Sequence, residues 1–189
     1  MARGQAQLDR HLFTLEEYER MVESGGFDAD ARIELIRGEI VDMAPIGIRH
    51  AACVARLTAL LVRKAGDSAV VWSQNPFSIP GHSRPEPDVA LLRWRDDYYA
   101  SKGPTPDDAV LIVEVSDTTL KYDRAVKGPL YGEAGIPEYW IINLQENTVE
   151  IYSNPEGGVY KQMRHARRGD SLALPPKLGG SILVEDFLG

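Results

Sequence analysis

Apolar positions along the chain change period several times, and each change marks an element. After a polar start over residues 1–10, Thr14 precedes Leu15-Glu16-Glu17 in a capping-box pattern. Gly25-Gly26 supplies a stop, so a short helix is predicted between them. Ile33–Ile36 and residues 39–43 read as strands around Arg37-Gly38, a hairpin. Over residues 50–65, Val54, Leu57 and Leu61 recur at helical spacing until Gly66. A strand-rich middle follows at Ala69–Trp72 and at 77–79, 88–92 and 110–115. Residues 94–108 mix polar side chains with Gly and Pro and predict an exposed loop. A helix is expected within 123–134, with Pro129 marking a late start or a kink, because proline cannot donate to the turn before it. Gly135 closes it. Residues 139–144 and 148–152 read as strands joined by Gln145-Glu146-Asn147, and the tail is expected to hold one more strand pair. Mixed strands with helices before and after predict an α/β fold.

Three carboxylates break the apolar pattern. Glu34 interrupts Ile33-Glu34-Leu35-Ile36, Asp88 heads Asp88-Val89-Ala90-Leu91-Leu92, and Glu114 lies inside Val110-Leu111-Ile112-Val113-Glu114-Val115. Each run reads as a short, largely buried strand. A charge buried there is costly unless it is paired, protonated or bound to a metal. Three such sites suggest one shared cause, since a divalent cation compensates several carboxylates at once and leads to metal-assisted hydrolysis. Strand alternation places Ile112, Glu114 and Ser116 on one face, and Asp88, Ala90 and Leu92 on one face of theirs. If the two strands are neighbours, Asp88 and Glu114 converge at one end of the sheet. Hard oxygen ligands at that point suit magnesium or manganese.

Composition narrows the setting. The 189 residues fit a single domain, with 1–10 as a flexible tail, and the 43% hydrophobic fraction is close to the globular range. No run is long or apolar enough to span a bilayer, and the start lacks the apolar core of a signal peptide. The one cysteine, Cys53, excludes a disulfide within the chain, so a reducing cytoplasm is the expected location. A net charge of −7 argues against broad, non-specific adhesion to nucleic acid but leaves room for a local basic groove.

A cation near the acids is needed to stabilise charge in a hydrolytic transition state, and Lys127 is the candidate. On a helix, Asp123, Lys127 and Tyr131 form one stripe and Val126 and Leu130 another. The plain alternative is a solvated face carrying an Asp123–Lys127 pair worth roughly 0.2–0.5 kcal/mol. Plain alternatives stand beside the others too. Glu34 reads equally as an outward side chain of an edge strand, and Asp88 after Pro87 as strand-entry punctuation. His50 is a candidate phosphate or water contact or a capping or core histidine. The basic run Lys161, Arg164, Arg167 and Arg168 is a phosphate contact or a solvated strand, and Tyr139-Trp140 reads as core.

Taken in order, these residues resemble a known family. Pro87-Asp88, Glu114-Val115-Ser116 and the stretch from Asp123 to Lys127 resemble the PD-(D/E)XK nuclease superfamily. Within it the chain is similar to the Uma family of restriction endonucleases. The likeness runs through Glu34-Leu35-Ile36-Arg37-Gly38-Glu39-Ile40-Val41, Met43-Ala44-Pro45, His50, Pro87-Asp88-Val89 and Val113-Glu114-Val115. It continues through Tyr122-Asp123-Arg124, Lys127, Pro129-Leu130-Tyr131 and Ala134-Gly135-Ile136-Pro137-Glu138-Tyr139-Trp140-Ile141. It extends over roughly residues 12–188. The resemblance implies a restriction-endonuclease-like fold, a central mixed β-sheet flanked by α-helices. It implies that Asp88 and Glu114 bind Mg2+ or Mn2+ and that Glu34 is a further acidic member. The superfamily's lysine, two residues after the second acid, falls here at Ser116, and the resemblance implies that Lys127 on the following helix replaces it. Gly128 stands where the family more often has an aliphatic residue.

The expectation is thus a magnesium-dependent endonuclease acting on DNA, with catalytic Glu34, Asp88, Glu114 and Lys127 and with His50, Ser116 and Tyr131 as substrate contacts. Two other readings use the same residues: a catalytically silent binding or oligomerisation module on this fold, and a hydrolase for another phosphoester. Cutting a duplex takes two active sites, and the chain shows no second DNA-reading unit, so a homodimer is expected.

Overall fold

The computed structural model describes residues 10–28 and 30–189; the start expected as a loose tail therefore lies, Arg10 apart, outside the described residues. Helix α1 (Leu15–Glu23) begins at Thr14, whose side chain accepts from Glu17 while the Glu17 carboxylate accepts from the Thr14 backbone, a closed capping box. Strands β1 (Ile33–Ile36) and β2 (Glu39–Asp42) form the hairpin, with Ile36 opposite Glu39. Its two turn residues, Arg37 and Gly38, both have positive φ, 52° and 81°, the mirror-image turn whose twist suits two adjoining strands. The hairpin is a sheet of its own, tied to the rest by a bridge from Leu35 to Arg84.

The central sheet has six strands in the order β3 (Ala69–Trp72), β4 (Val89–Arg93), β5 (Ala109–Ser116), β6 (Glu138–Asn143), β7 (Thr148–Glu156) and β8 (Val159–Arg167). All neighbours are antiparallel except β5 and β6. That parallel pair requires a crossover. It is supplied by α3 (Leu120–Tyr122), a π-helical turn (Asp123–Lys127) and α4 (Gly128–Glu133). The fold is therefore mixed α/β, a mixed central sheet flanked by helices.

Period-two alternation divides the core into two layers. Leu91, Val113, Trp140 and Ile142 face α2 (Ile48–Ala65), whose Cys53, Leu57 and Leu61 cover them at helical spacing. The short sheet of β9 (Ser171–Ala173) and β10 (Ser181–Leu183), with α5 (Glu185–Leu188), completes that layer. Ala90, Ile112, Tyr139 and Ile141 face the other way, toward Leu130 and Tyr131 of the crossover and Ile36 of the hairpin. Each fully buried Leu or Ile adds roughly 1.5–3 kcal/mol of transfer free energy, so both layers hold the sheet firmly. Among the described residues, no helix is long and apolar enough to cross a membrane.

Several elements differ from expectation. Residues 77–79 form no strand, only an isolated bridge from Ile79 to Ser83. Pro76, Pro80, Pro85 and Pro87 surround them and deny the donors a ladder needs. The expected exposed loop 94–108 folds back on the sheet: Tyr99 is buried and its hydroxyl donates to the Arg93 carbonyl at 2.7 Å. The tail holds more than the one expected pair, since β8 extends the central sheet and β9–β10 form another.

Candidate active site

Antiparallel pairing carries the start of β4 to the end of β5, with Val89 opposite Val113. Asp88, one residue before β4, therefore arrives beside Glu114 and Val115. Its Oδ2 accepts from the Val115 backbone N–H at 2.8 Å and stands 3.0 Å from His50 Nε2, in the first turn of α2. Gln74 Nε2 reaches its Oδ1 at 3.4 Å, and Ser73 Oγ holds its carbonyl at 2.9 Å. The chain thus fixes this carboxylate from three directions before β4 begins.

Glu114 shares the Ile112 face and looks toward the crossover. Both hydrogen bonds it receives fall on Oε1, from Lys127 Nζ at 2.9 Å and from Tyr131 Oη at 2.9 Å. Lys127 also donates to Glu34 Oε1 at 3.0 Å, and that oxygen accepts from the Glu86 backbone N–H at 2.7 Å. Glu34, Asp88, Glu114 and Lys127 are all buried. The π-helical turn helps set Lys127 in place. Pro129 has no N–H to offer Ala125, and the turn before it widens so that Gly128 N–H closes on the Asp123 carbonyl. A Cβ on Gly128 would stand 3.3 Å from that carbonyl oxygen, so the absent side chain allows the close turn.

Electrostatics follow from burial. Burial pushes the Glu114 carboxyl up to about 8; Lys127 opposes the rise, while Asp88, Asp123 and Glu34 add to it. Burial alone would pull Lys127 down, but Glu114, Glu34 and Asp123 outweigh it and the ammonium titrates above its ordinary value. The hydrogen bond to Asp88 raises His50 against the opposing effect of burial. Lys127 is therefore a firmly charged cation among carboxylates.

The site lines a cavity of about 410 Å³. Seven carboxylates border it: Glu34, Asp42, Glu86, Asp88, Glu114, Asp117 and Asp123. Arg32, Lys127 and the His50 ring are the facing bases. Among the described residues, no group of three or more His, Cys, Asp or Glu is arranged to hold a metal ion. The donor set at the end of β4 and β5 is two carboxylates, Asp88 and Glu114. That is the number with which magnesium keeps several waters and remains open to a phosphate. Two lining residues also carry buried atoms with no protein partner among the described residues, His50 Nδ1 and Tyr122 Oη. Orphans of this kind are rare in native proteins and fit a site completed by water, ion or ligand.

The structure brings Glu34, Asp88, Glu114, Lys127 and His50 to one cavity. It does not form the Asp123–Lys127 pair of the plain reading: Asp123 Oδ2 instead accepts from Ser116 Oγ at 2.6 Å and Thr119 Oγ1 at 2.7 Å. Ser116 and Tyr131, expected as substrate contacts, are fully buried. Their hydroxyls serve Asp123 and Glu114, so both support the site from behind. The basic residues Lys161, Arg164, Arg167 and Arg168 are exposed, on and just beyond the edge strand β8. Tyr139 and Trp140 are core, as expected. Glu86 was missed. It lines the cavity, and burial, reinforced by Glu34, raises its carboxyl. The signal was present in Pro85-Glu86-Pro87-Asp88, where an acid between two prolines cannot retreat into a regular strand.

A mixed sheet with acids at the meeting ends of two strands is a nuclease-like arrangement. The crystal structure of "a putative nuclease belonging to DUF820" from Anabaena variabilis shares the fold, with a TM-score of 0.70 at 16% identity, covering 93% of this chain and 97% of that chain. The Uma2 family model, described as "Putative restriction endonuclease", matches residues 15–184, and the chain belongs to this family. No match is found among curated proteins.

Proposed function

We propose that this protein is a divalent-metal-dependent endonuclease hydrolysing DNA phosphodiester bonds, built on the PD-(D/E)XK plan with its lysine carried by the following helix. One observation carries the reading: Lys127 meets Glu114 and Glu34 at the wall of the cavity that Asp88 enters from the neighbouring strand. Asp88 and Glu114 are the residues that would hold Mg2+ or Mn2+, and the chemistry supplied there is polarisation of the phosphoryl oxygens and acidification of the attacking water. Lys127 presents a fixed ammonium to the charge that develops on phosphorus oxygens. Glu34 and Glu114 hold that ammonium in place, and Tyr131 fixes Glu114 Oε1 so that its second oxygen is left for the cavity. His50 orients Asp88 through Oδ2.

The second reading, a silent module, draws on the same contacts. A lysine already paired to two glutamates closes the site on itself, and the acidic lining repels phosphate. Cleavage of plasmid and single-stranded DNA with magnesium or manganese separates the two. The nuclease reading expects cutting by the wild type and a rate lower by roughly 10²–10³ in Lys127→Met. Absence of cutting on both substrates would leave the module. If synthetic phosphodiesters are hydrolysed while DNA is not, the substrate is another phosphoester. The proposal extends to a homodimer, which would bring two such sites to one nucleic acid, and to a reducing cytoplasm. Burial pushes the lone Cys53 thiol up to about 12, leaving it inert and with no disulfide to make.

A further inference from the structure

We propose that the apolar lip formed by Ile46 and Ile48 receives an unstacked nucleobase, so that DNA enters the cavity as an unpaired strand and not as intact duplex. This rests on the nuclease reading above and names the form of DNA that the same site accepts.

The segment from Met43 to Gly47 borders the cavity that holds Glu34, Asp88 and Glu114. Within and just after it, Ile46 is 44% exposed and Ile48 89% exposed. Ile48 opens α2 but lies off the stripe of Cys53, Leu57 and Leu61 that packs on the sheet. Two β-branched aliphatic side chains in water, Ile46 lining the cavity and Ile48 two residues further on at the start of α2, contribute nothing to either core layer.

The depth of the site argues against a duplex. Glu34, Asp88, Glu114 and Lys127 are each 9% exposed or less. A duplex is a stiff rod with paired bases inside, and its phosphates reach a recessed floor only if one strand leaves the stack, as in enzymes that extrude a nucleotide. A cavity of about 410 Å³ suits a ligand the size of one nucleotide.

Charge argues the same way. Seven carboxylates line the cavity, so the phosphate backbone gains little there and a second strand would add repulsion. Affinity must then come from the uncharged part of the nucleotide. Apolar side chains, isoleucine among them, wedge between base steps and hold them apart, a contact with the face of a base that reads none of its hydrogen-bonding edges. Ile46 and Ile48 offer that surface beside the acids.

The test measures binding by fluorescence anisotropy in calcium, using a labelled single-stranded oligonucleotide, the same sequence as duplex, and the single strand carrying 2-aminopurine. Wild type is compared with an Ile46→Ser/Ile48→Ser double variant and an Ile46→Leu/Ile48→Leu control. The side chains are exposed, so the fold is not at stake, and hydrolysis of bis(p-nitrophenyl) phosphate reports the chemistry separately. The expected result is single strand bound at least tenfold tighter than duplex, a 2-aminopurine signal on binding, loss of that preference in the serine variant and its retention in the leucine control. Equal binding of both forms, or a serine variant that binds like wild type while cleavage continues, would overturn the lip and leave the nuclease reading standing. Hydrolysis of the small diester with no DNA bound in either form would overturn both.

Discussion

Lys127 Nζ stands 2.9 Å from Glu114 Oε1, a contact that spans 13 residues of sequence and ties the crossover helix to the strand it leaves. The same ammonium reaches Glu34 Oε1 at 3.0 Å, so one cation joins the hairpin, the sheet and the helix. The helical neighbour Asp123, four residues away, is not its partner. Asp123 is held by Ser116 and Thr119 instead.

Removing that cation should therefore affect stability as well as rate. Lys127→Met leaves Glu34 and Glu114 buried with no ammonium between them. Breaking a buried pair in this way typically costs about 3–5 kcal/mol. A surface lysine would cost only about 0–1 kcal/mol. Urea unfolding of wild type and Lys127→Met without divalent metal should show the larger loss, and magnesium should recover part of it. A change of only a few tenths of a kcal/mol would refute the buried network.

Much of this site was legible in the sequence because burial of a charge is legible. Glu114 sits among apolar residues on a strand whose alternation fixed its face, and Asp88 needed only an antiparallel neighbour to meet it. The partner of Lys127 was not legible from helical spacing, because spacing pairs a lysine with residues on its own helix. The polar stripe of Asp123, Lys127 and Tyr131 allowed Lys127 to look back at Glu114, and the resemblance to a family pointed the same way. The π-helical turn was foreshadowed by Pro129, which signalled a disturbance but not its form. The strand expected at 77–79 failed because its apolar run outweighed four nearby prolines in the reading, while in the fold the lost donors decide. The supporting roles of Ser116 and Tyr131 depend on which side of a carboxylate each hydroxyl lies, and that is set by tertiary packing.

Metal should bind the folded protein at Asp88 and Glu114 and raise its melting temperature, since preferential binding to the native state stabilises it. Asp88→Asn and Glu114→Gln should each lose that rise. Calorimetric titration with manganese provides the direct measure. Equal affinity in wild type and both variants would remove the metal site from these two residues.

The pH dependence follows from Glu114. Its folded value, about 8, lies above the ordinary carboxyl value of 4.5, so between these limits the folded state holds a proton that the unfolded state releases. Stability without metal should then fall as pH rises through that window, with the contribution intact below it. Glu114→Gln should flatten the slope. Denaturant unfolding at pH 5, 6.5 and 8 in chelator compares the two proteins, and parallel profiles would contradict the assignment.

Assembly is open to the simplest measurement. A homodimer should appear in light scattering at high protein concentration, at twice the 20.9 kDa chain mass. A monomer throughout the accessible range would set the dimer aside and favour a nicking activity, one strand cut per encounter.

Tyr131 separates support from chemistry. Its hydroxyl donates to Glu114 Oε1 at 2.9 Å, and the ring is fully buried against Tyr139, with centroids 5.1 Å apart. Burial, with Glu114 adding to it, holds the phenol well above its ordinary value, so it remains a neutral donor throughout the working range. Tyr131→Phe keeps the packing and removes one hydrogen bond to Glu114, worth roughly 1.5–3 kcal/mol once that carboxyl is ionised. The carboxylate would then be held by Lys127 alone and titrate higher. Cleavage should fall by roughly tenfold, less than the roughly 10²–10³ for Lys127→Met, and the acid limb of the rate profile should move to higher pH. A loss in Tyr131→Phe as large as in Lys127→Met, with no movement of the acid limb, would place the phenol in the reaction itself and contradict its burial behind Glu114.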